Sequence, residues 1–198
     1  MKNYFSTDWH LAHKNILRFD NRPFRSIEEH DEKIIKNTMK LLKPGDNFYY
    51  LGDFVFKNKR YTESILQTLV SSGANLYFIK GNHDKDDTVA LYIKYGIYLG
   101  EQKKIRVGEQ EIILNHFKML IWDKSHHGSW HLYGHSHGDA EHYVVGKSMD
   151  VAINIHNYHP IEFVEIKKIL DARILHTIDH HNLETERYRK HEQQNNSI

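Results

Sequence analysis

The chain has 198 residues, 39% of them hydrophobic, and its 27 basic and 26 acidic side chains leave a net charge of +1. This length predicts a single domain, 1–198, and the absence of cysteine excludes disulfides, thiolate metal sites and cysteine nucleophiles. The balanced charge argues against a general nucleic-acid binder. We expect a cytoplasmic protein with neither a membrane span nor a signal peptide, because no apolar stretch is long enough for either.

Predicted strands and helices alternate in the first half of the chain. Ser26 and Glu29 form a capping box at the start of the first long helix, and glycine-containing turns follow the helices. The predicted strands are 2–6, 47–51 and 74–79. The predicted helices are 27–42, 61–72 and 86–95.

The second half of the chain is mostly predicted strand. Its predicted strands are 97–107, 111–115, 130–133, 143–145 and 148–152. A last helix is predicted from about 160 to 170. A polar tail from about 171 is also predicted to be helical, to about residue 190. The tail histidines are expected on a helix surface; they are His176, His180, His181 and His191. The whole pattern predicts an α/β fold in which helices cover mixed sheets.

Side chains that can bind metals follow five predicted strands, at the points where the chain enters a loop. They are Asp8 and His10, then Asp53, then Asn82, His83 and Asp84, then His116, and finally His135 and His137. Because ligands of α/β sheets collect at the carboxyl ends of strands, these loops can converge on one site. Each pattern alone is also typical of an ordinary turn or a solvated loop, but the order and completeness of the set favour a site.

The order of these patterns resembles the calcineurin-like metallophosphoesterases. Their motifs are Asp-x-His, Gly-Asp, Gly-Asn-His-Asp/Glu, a histidine and Gly-His-x-His. The matching residues here are Asp8-Trp9-His10, Gly52-Asp53, Gly81-Asn82-His83-Asp84, His116 and Gly134-His135-Ser136-His137. The resemblance spans residues 1 to about 155, and the segment 6–16 resembles a small bacterial and bacteriophage branch. One departure is Asn115, where many members have glycine. The resemblance implies a four-layer α/β/β/α sandwich of mixed sheets.

The resemblance also implies two divalent metal ions that share one carboxylate. The first ion would be held by Asp8, His10, Asp53 and His137, and the second by Asp53, Asn82, His116 and His135. Mn²⁺ is expected first, with Fe, Ni or Zn as alternatives for such ligands. A hydroxide that bridges both metals would attack phosphorus in line with the leaving oxygen.

His83 and Asp84 are implied to be a catalytic pair rather than metal ligands. In the family this histidine protonates the leaving oxygen or contacts the phosphate, and the acidic residue orients its imidazole. His13, Arg18 and Arg22 are further candidates for substrate contacts, since arginine offers a bidentate fork to phosphate. An exposed loop histidine and a solvated basic surface explain the same three residues equally well.

These observations predict a metal-dependent hydrolase of phosphodiesters or phosphomonoesters, with diesters favoured and a small nucleotide-type substrate expected. A nuclease acting on DNA or RNA is an alternative, although the balanced charge argues against it. A non-catalytic scaffold of the same fold is a third hypothesis, which the complete ligand set and His83 disfavour. No membrane partner is expected, and the sequence leaves the oligomeric state open.

Overall fold

The computed structural model describes residues 1–143 and 145–175, which form two mixed β-sheets with helices. The strands are β1 (Asn3–Ser6), β2 (Asn47–Tyr50), β3 (Asn75–Phe78), β4 (Ile97–Tyr98), β5 (Gln102–Val107), β6 (Gln110–Asn115), β7 (Trp130–Tyr133), β8 (Ser148–Asp150) and β9 (Ile161–Glu162). The α-helices are α1 (Ile16–Phe19), α2 (Ile27–Leu41), α3 (Lys59–Val70), α4 (Asp86–Tyr95) and α5 (Phe163–Ala172). The α/β class predicted from sequence is thereby confirmed. None of the helices in the described ranges is long and apolar enough to cross a membrane.

The first sheet has the strand order β4-β3-β2-β1-β9, with β1 to β4 parallel and β9 antiparallel to β1. Its register places Asn3, Asn47 and Asn75 side by side at the amino ends of β1, β2 and β3. The Asn47 amide donates to Asn3 Oδ1 at 2.9 Å, and the Asn75 amide donates to Asn47 Oδ1 at 3.1 Å. Because the three strands start level and have four residues each, the loops that follow them leave from the same edge.

The second sheet has the order β5-β6-β7-β8, in which β5 and β6 are antiparallel and the other pairs are parallel. A parallel bridge between Thr7, just after β1, and Ala152, just after β8, joins the two sheets. The carboxyl ends of β1, β2, β3, β6, β7 and β8 therefore come together at one edge of the molecule.

The alternation of side chains along the strands fills two hydrophobic cores. In β2, Phe48 and Tyr50 belong to a core shared with α2, α3 and α4, whereas Tyr49 belongs to a core shared with the second sheet. Ile34 of α2 and Leu66 of α3 are fully buried in the first of these cores. The first sheet is therefore covered by helices on one face and by the second sheet on the other.

The capping box predicted at the start of α2 is present in a shifted form. The Ser26 hydroxyl accepts from the Glu29 backbone N–H at 3.2 Å, as predicted. The Glu29 carboxylate accepts from the backbone N–H of Arg25 at 2.9 Å, one residue before the cap. The first bond satisfies an amide that the helix itself leaves unpaired, and the second ties the residue before the cap to the first turn.

Two predicted strands differ from the structure. The predicted strand 97–107 is divided into β4 and β5, which belong to different sheets, because Gly100 turns the chain with a φ of 88°. The predicted strand 143–145 is not formed at Tyr143, which ends a 3₁₀ helix, Asp139–His142. The Lys118 ammonium donates to the carbonyl groups of Ala140 and Tyr143, so these carbonyls are satisfied without a neighbouring strand.

The last predicted helix begins later than expected, because Ile161 and Glu162 form the edge strand β9 beside β1. α5 then ends at Ala172. The tail predicted to continue to about 190, with its four histidines, lies outside the described residues from 176 onwards.

The outer face of the second sheet is covered by the segment 117–129. The Met119 backbone N–H donates to Nε2 of the buried His131 at 3.0 Å. The Trp122 ring lies 5.4 Å from the same imidazole. Within the described ranges, this face carries irregular chain and a 3₁₀ helix, Ser125–His127, rather than a long α-helix.

Candidate metal centre

The loops that carry the predicted ligands are tied to one another by backbone hydrogen bonds. The N–H of Asp8 donates to Gly52 O at 3.0 Å, and that of His10 donates to Asp53 O at 3.1 Å. Across the two sheets, the N–H of His135 donates to the Asp8 carboxylate at 2.9 Å. All seven predicted ligands are brought to this edge; they are Asp8, His10, Asp53, Asn82, His116, His135 and His137.

Asp8, His10 and His137 form the first of two ligand groups. Asp8 Oδ1 lies 3.7 Å from His10 Nε2 and 3.5 Å from His137 Nε2. The two ring nitrogens face each other at 3.1 Å. One carboxylate oxygen and two imidazole nitrogens thus point to a common centre.

Asp53, His116 and His135 form the second group. Nε2 of His116 lies 3.5 Å from Asp53 Oδ2 and 2.9 Å from Asn82 Oδ1. Asn82 Oδ1 also lies 3.0 Å from His135 Nδ1. Asp53 Oδ2 is 3.7 Å from His10 Nε2 of the first group. One carboxylate oxygen therefore stands between the two groups, where a shared ligand would have to be.

The charges and unpaired atoms of this cluster fit divalent cations. Asp8 Oδ1 is buried and has no hydrogen-bond partner among the described residues, although buried polar atoms are almost always paired. The ring nitrogens of His137 and His10 lie 3.5 Å and 3.7 Å from it. Imidazole nitrogens with carboxylate and amide oxygens, and no sulfur, suit Mn, Fe, Ni or Zn.

Left-handed backbone is concentrated at the candidate ligands. Ten non-glycine residues of the described ranges have a positive φ, and five of them are ligands: Asp8 (57°), His10 (50°), Asp53 (60°), His135 (67°) and His137 (51°). Each such residue costs on the order of 1 kcal/mol, and this kind of strain is typical of functional sites. Sharp turns directly after the strands aim these side chains back at a common centre.

Two glycines permit the close approach of neighbouring loops. A Cβ atom on Gly81 would lie 2.2 Å from Asp53 Oδ1, and a Cβ atom on Gly134 would lie 2.4 Å from Asp8 Oδ2. Any side chain at either position would therefore push a candidate ligand out of place. The glycines of the motifs are explained by space rather than by turn geometry alone.

Two of the imidazoles are oriented by bonds on the side away from the cluster. His116 Nδ1 donates to Leu51 O at 2.8 Å, and His137 Nδ1 lies 2.8 Å from the Asp20 carboxylate. Each Nε2 is then left to point into the cluster. A metal-binding histidine is usually held in this way, by a carboxylate or carbonyl that accepts from its other ring nitrogen.

The electrostatics of the cluster couple its carboxylates to its histidines. Burial lowers the pKa of His116, but the Asp53 carboxylate outweighs it and raises the pKa to about 9. Burial likewise lowers the pKa of His137, but Asp20 and Asp8 raise it to about 10. Burial would raise the pKa of Asp8, yet His10 and His137 hold it well below its usual range. A cation that binds here must displace the protons held by His116 and His137.

Arg22 supports this centre instead of contacting substrate, which corrects the sequence prediction. The residue is 3% exposed. Its guanidinium donates to Asp8 O at 2.9 Å, to Trp9 O at 3.0 Å and to Asp20 at 2.9 Å, and it lies 2.8 Å from His30 Nε2. With these partners, the guanidinium has no face left for a phosphate.

Asp20 is a supporting residue that the sequence reasoning missed. Its carboxylate bridges the buried Arg22 guanidinium and His137 Nδ1. The available signal was a single acidic residue inside the basic run of residues 14–25. Charge pattern alone could not show that it faces inward.

Replacing Asp20 by asparagine is expected to weaken Mn²⁺ binding by about 10–100-fold, the usual effect of losing the outer partner of a ligating histidine. The asparagine would keep the shape but lose the charge that holds His137. Calorimetric titration of the metal-free protein with Mn²⁺ measures the change. Asp139→Asn is the control, because Asp139 is exposed and lies two residues after His137. This variant should bind Mn²⁺ as the wild type does. Equal affinity in both variants would contradict the role of Asp20.

Asp84 does not orient the His83 imidazole in the structure, which corrects a second prediction. Its carboxylate accepts the backbone N–H groups of Gly81 at 2.9 Å, Asp53 at 3.1 Å and Phe54 at 3.1 Å. Burial raises its pKa to about 6, against the effect of these bonds. Asp84 thus holds the loop after β3 against the loop after β2.

His83 lies at the exposed side of the cluster. Its backbone N–H donates to Asp53 Oδ1 at 2.9 Å, and its Nε2 is 4.0 Å from Asp53 Oδ2. The side chain is 50% exposed, and its ring lies 4.9 Å from the Phe56 ring. The imidazole is therefore next to both ligand groups while remaining open to a substrate.

His13 and Arg18 are placed differently by the structure. The His13 ring stacks on Phe56 at 4.3 Å and lies 5.8 Å from the His10 ring, so it borders the centre. Arg18 is exposed and its guanidinium lies 5.2 Å above the Phe19 ring. The predicted substrate contact is supported by position for His13 only.

Asp150 is a second supporting residue that the sequence reasoning missed, because it was assigned to a plain strand. Its buried carboxylate accepts from the Ser136 hydroxyl and the Gly138 N–H, both at 2.9 Å. It also accepts from the Ala152 N–H at 2.8 Å. These bonds fix the loop that carries His135 and His137.

No family model matches the chain. An uncharacterized protein of Methanocaldococcus jannaschii, MJ1445, is 29% identical over 185 residues, which are 90% of this chain and 97% of that protein. The crystal structure of AQ665 from Aquifex aeolicus, a protein of unknown function, matches with a TM-score of 0.66 at 24% sequence identity and covers 85% of this chain and 98% of that one. The likeness shows a shared fold.

Proposed function

We propose that the protein is a metal-dependent phosphoesterase of the calcineurin-like type that hydrolyses phosphodiesters in preference to phosphomonoesters, with a small nucleotide-type substrate. The observation that carries the proposal is the pair of ligand groups on either side of Asp53. Its Oδ2 lies 3.7 Å from His10 Nε2 and 3.5 Å from His116 Nε2. A carboxylate between two convergent ligand sets is what a two-metal hydrolase requires.

Different residues of the chain would bind the cations and contact the substrate. The first cation would be held by Asp8, His10, Asp53 and His137, and the second by Asp53, Asn82, His116 and His135. Two divalent cations, Mn²⁺ in the first place, would supply Lewis-acid charge to the phosphoryl group and activate water. Fe, Ni and Zn are alternatives for the same donors.

His83 is the candidate general acid. It touches the cluster through its backbone N–H bond to Asp53, while half of its side chain is open to solvent. A phosphoryl group bound at the cluster would place a leaving oxygen within reach of this imidazole. Protonation of that oxygen by a positioned histidine typically contributes about 10²–10⁴-fold to the rate.

The four-layer α/β/β/α sandwich implied by the resemblance belongs to the same proposal. Two mixed sheets packed face to face, with α2, α3 and α4 on the outer face of one of them, support three of its four layers, and the segment 117–129 lies where the fourth layer would be. The site at the carboxyl ends of strands from both sheets is in keeping with it. A single domain is part of the proposal.

Hydrolysis of bis-p-nitrophenyl phosphate and p-nitrophenyl phosphate tests the function. We expect cleavage of the diester with added Mn²⁺, slower cleavage of the monoester, and loss of both with EDTA. Metal analysis of the same sample should find two cations per chain. Bound metal without cleavage of either ester, or cleavage that resists EDTA, would contradict the proposal.

A further inference from the structure

A cavity of about 450 Å³ opens beside the His83 imidazole. The loop after β2 forms one wall with Phe56 and Lys57, and the start of α4 forms the other with Lys85 and Asp87. We call it the lysine pocket. Because His83 lines it and also adjoins Asp53, the pocket lies beside the candidate metal centre.

The lysine pocket has an excess of positive charge. Neither Lys57 nor Lys85 forms a salt bridge in the described part of the chain, and the Lys57 ammonium instead lies 4.6 Å above the Tyr61 ring. Asp87 is an opposing carboxylate, and one of its oxygens accepts the Thr88 N–H at 2.9 Å. Two lysines and one aspartate thus line the pocket, and the aspartate carboxylate is already hydrogen-bonded.

Phe56 gives the pocket an apolar side next to the candidate metal centre. Its ring stacks on His13 at 4.3 Å and lies 4.9 Å from the His83 ring. These contacts hold the ring at the boundary between the metal centre and the pocket. The volume of the pocket is in the range of small-molecule sites.

We infer that the lysine pocket receives the leaving group of the phosphoester, and that this leaving group carries a second phosphate bound by Lys57 and Lys85. The inference rests on the proposed function and narrows its substrate class to nucleotides with an additional phosphate. A phosphate group matches two lysine ammonium groups that form no salt bridge in the described part of the chain, since lysine binds phosphate as a point charge.

The position of His83 favours a leaving group that extends in this direction, because His83 lines the pocket. Water adds its oxygen to phosphorus and gives one proton to solvent. The bond from phosphorus to the leaving oxygen breaks, its electron pair stays on that oxygen, and His83 supplies the proton that completes the alcohol. His83 regains a proton from solvent. The alcohol then lies next to His83, in the lysine pocket.

Three dinucleotides test the inference with Mn²⁺ present: thymidylyl-thymidine, and the same molecule with an extra phosphate at its 5′ end or at its 3′ end. Chromatography measures kcat/KM for cleavage of the internucleoside bond. We expect the wild type to cleave one of the two phosphorylated forms at least about tenfold faster than the plain dinucleotide. Lys57→Ala and Lys85→Ala should each lower this preference several-fold, whereas Asp87→Asn should increase it.

Lys103→Ala is the matched control, since Lys103 is an exposed lysine of β5 outside the pocket. It should keep both the activity and the preference of the wild type. Equal cleavage of all three dinucleotides by the wild type, or a preference that survives both lysine variants, would overturn the inference while leaving the proposed function standing. If the metal-bound protein cleaved none of the three dinucleotides and did not cleave bis-p-nitrophenyl phosphate either, the inference and the proposed function would both be overturned.

Discussion

Asp53→Asn is expected to bind at most one cation per chain and to lose more than about 99% of phosphodiesterase activity. Loss of an outer partner of a metal ligand already costs about 10–100-fold, and Asp53 has a carboxylate oxygen close to ring nitrogens of both ligand groups. The substitution keeps the volume and the acceptor for the His83 N–H, which lies 2.9 Å from Asp53 Oδ1. It removes the negative charge near His10 and His116.

Metal analysis of the purified variant, together with hydrolysis of bis-p-nitrophenyl phosphate in Mn²⁺, measures the effect. Asp46→Asn is the matched control, because Asp46 is a buried aspartate just before β2 and Asp53 comes just after it. Asp46 accepts from the backbone N–H groups of Lys2 and Lys43 and lies at the far end of the strand. Two cations and full activity in Asp53→Asn would show that Asp53 is not the shared ligand.

The position of the candidate ligands could be predicted from sequence because it depends on local signals. His116 comes directly after β6 and Asp53 comes three residues after the end of β2, and parallel strands bring their carboxyl ends to one edge. The glycines of the motifs mark the same turns; Gly81 and Gly134 leave room that the structure fills with Asp53 and Asp8. The local pattern and the tertiary structure therefore agree at these residues.

The roles of Arg22 and Asp84 could not be predicted, because they are decided by contacts distant in the chain. Arg22 donates to the carbonyl of Asp8, 14 residues away. Asp84 accepts from the N–H of Asp53, 31 residues away. Both side chains have the chemistry of substrate or catalytic groups, and only burial shows that they hold loops together. Asp20 was missed because it is a single acidic residue in the basic run of residues 14–25, and its sequence context does not show that it is directed inward.

The fold was predictable where helices and strands alternate and less so in the second half. The residues before and after Gly100 share one strand-like pattern, yet they pair with different sheets. Period-two alternation predicts a strand but does not choose its partner. The assignment of β4 and β5 depends on which neighbouring strand each one meets.

His83→Ala is expected to lower turnover of thymidylyl-thymidine by about 10²–10⁴-fold, the usual range for a general acid, with two cations still bound. Alanine keeps the backbone N–H that donates to Asp53 Oδ1. The candidate ligand atoms are therefore left in place, and the loss is confined to a half-exposed imidazole. His127→Ala, which removes an exposed histidine of a 3₁₀ helix, is the matched control and should behave as the wild type.

The choice of leaving group separates proton donation by His83 from simple contact with the phosphate. An alkoxide leaves poorly without a proton, whereas p-nitrophenolate leaves readily without one. If His83 is the acid, His83→Ala should therefore impair cleavage of thymidylyl-thymidine far more than cleavage of bis-p-nitrophenyl phosphate. Equal losses on both esters would assign His83 to phosphate binding. Unchanged turnover on both would remove it from the mechanism, because a group that donates the proton in the transition state cannot be lost without effect.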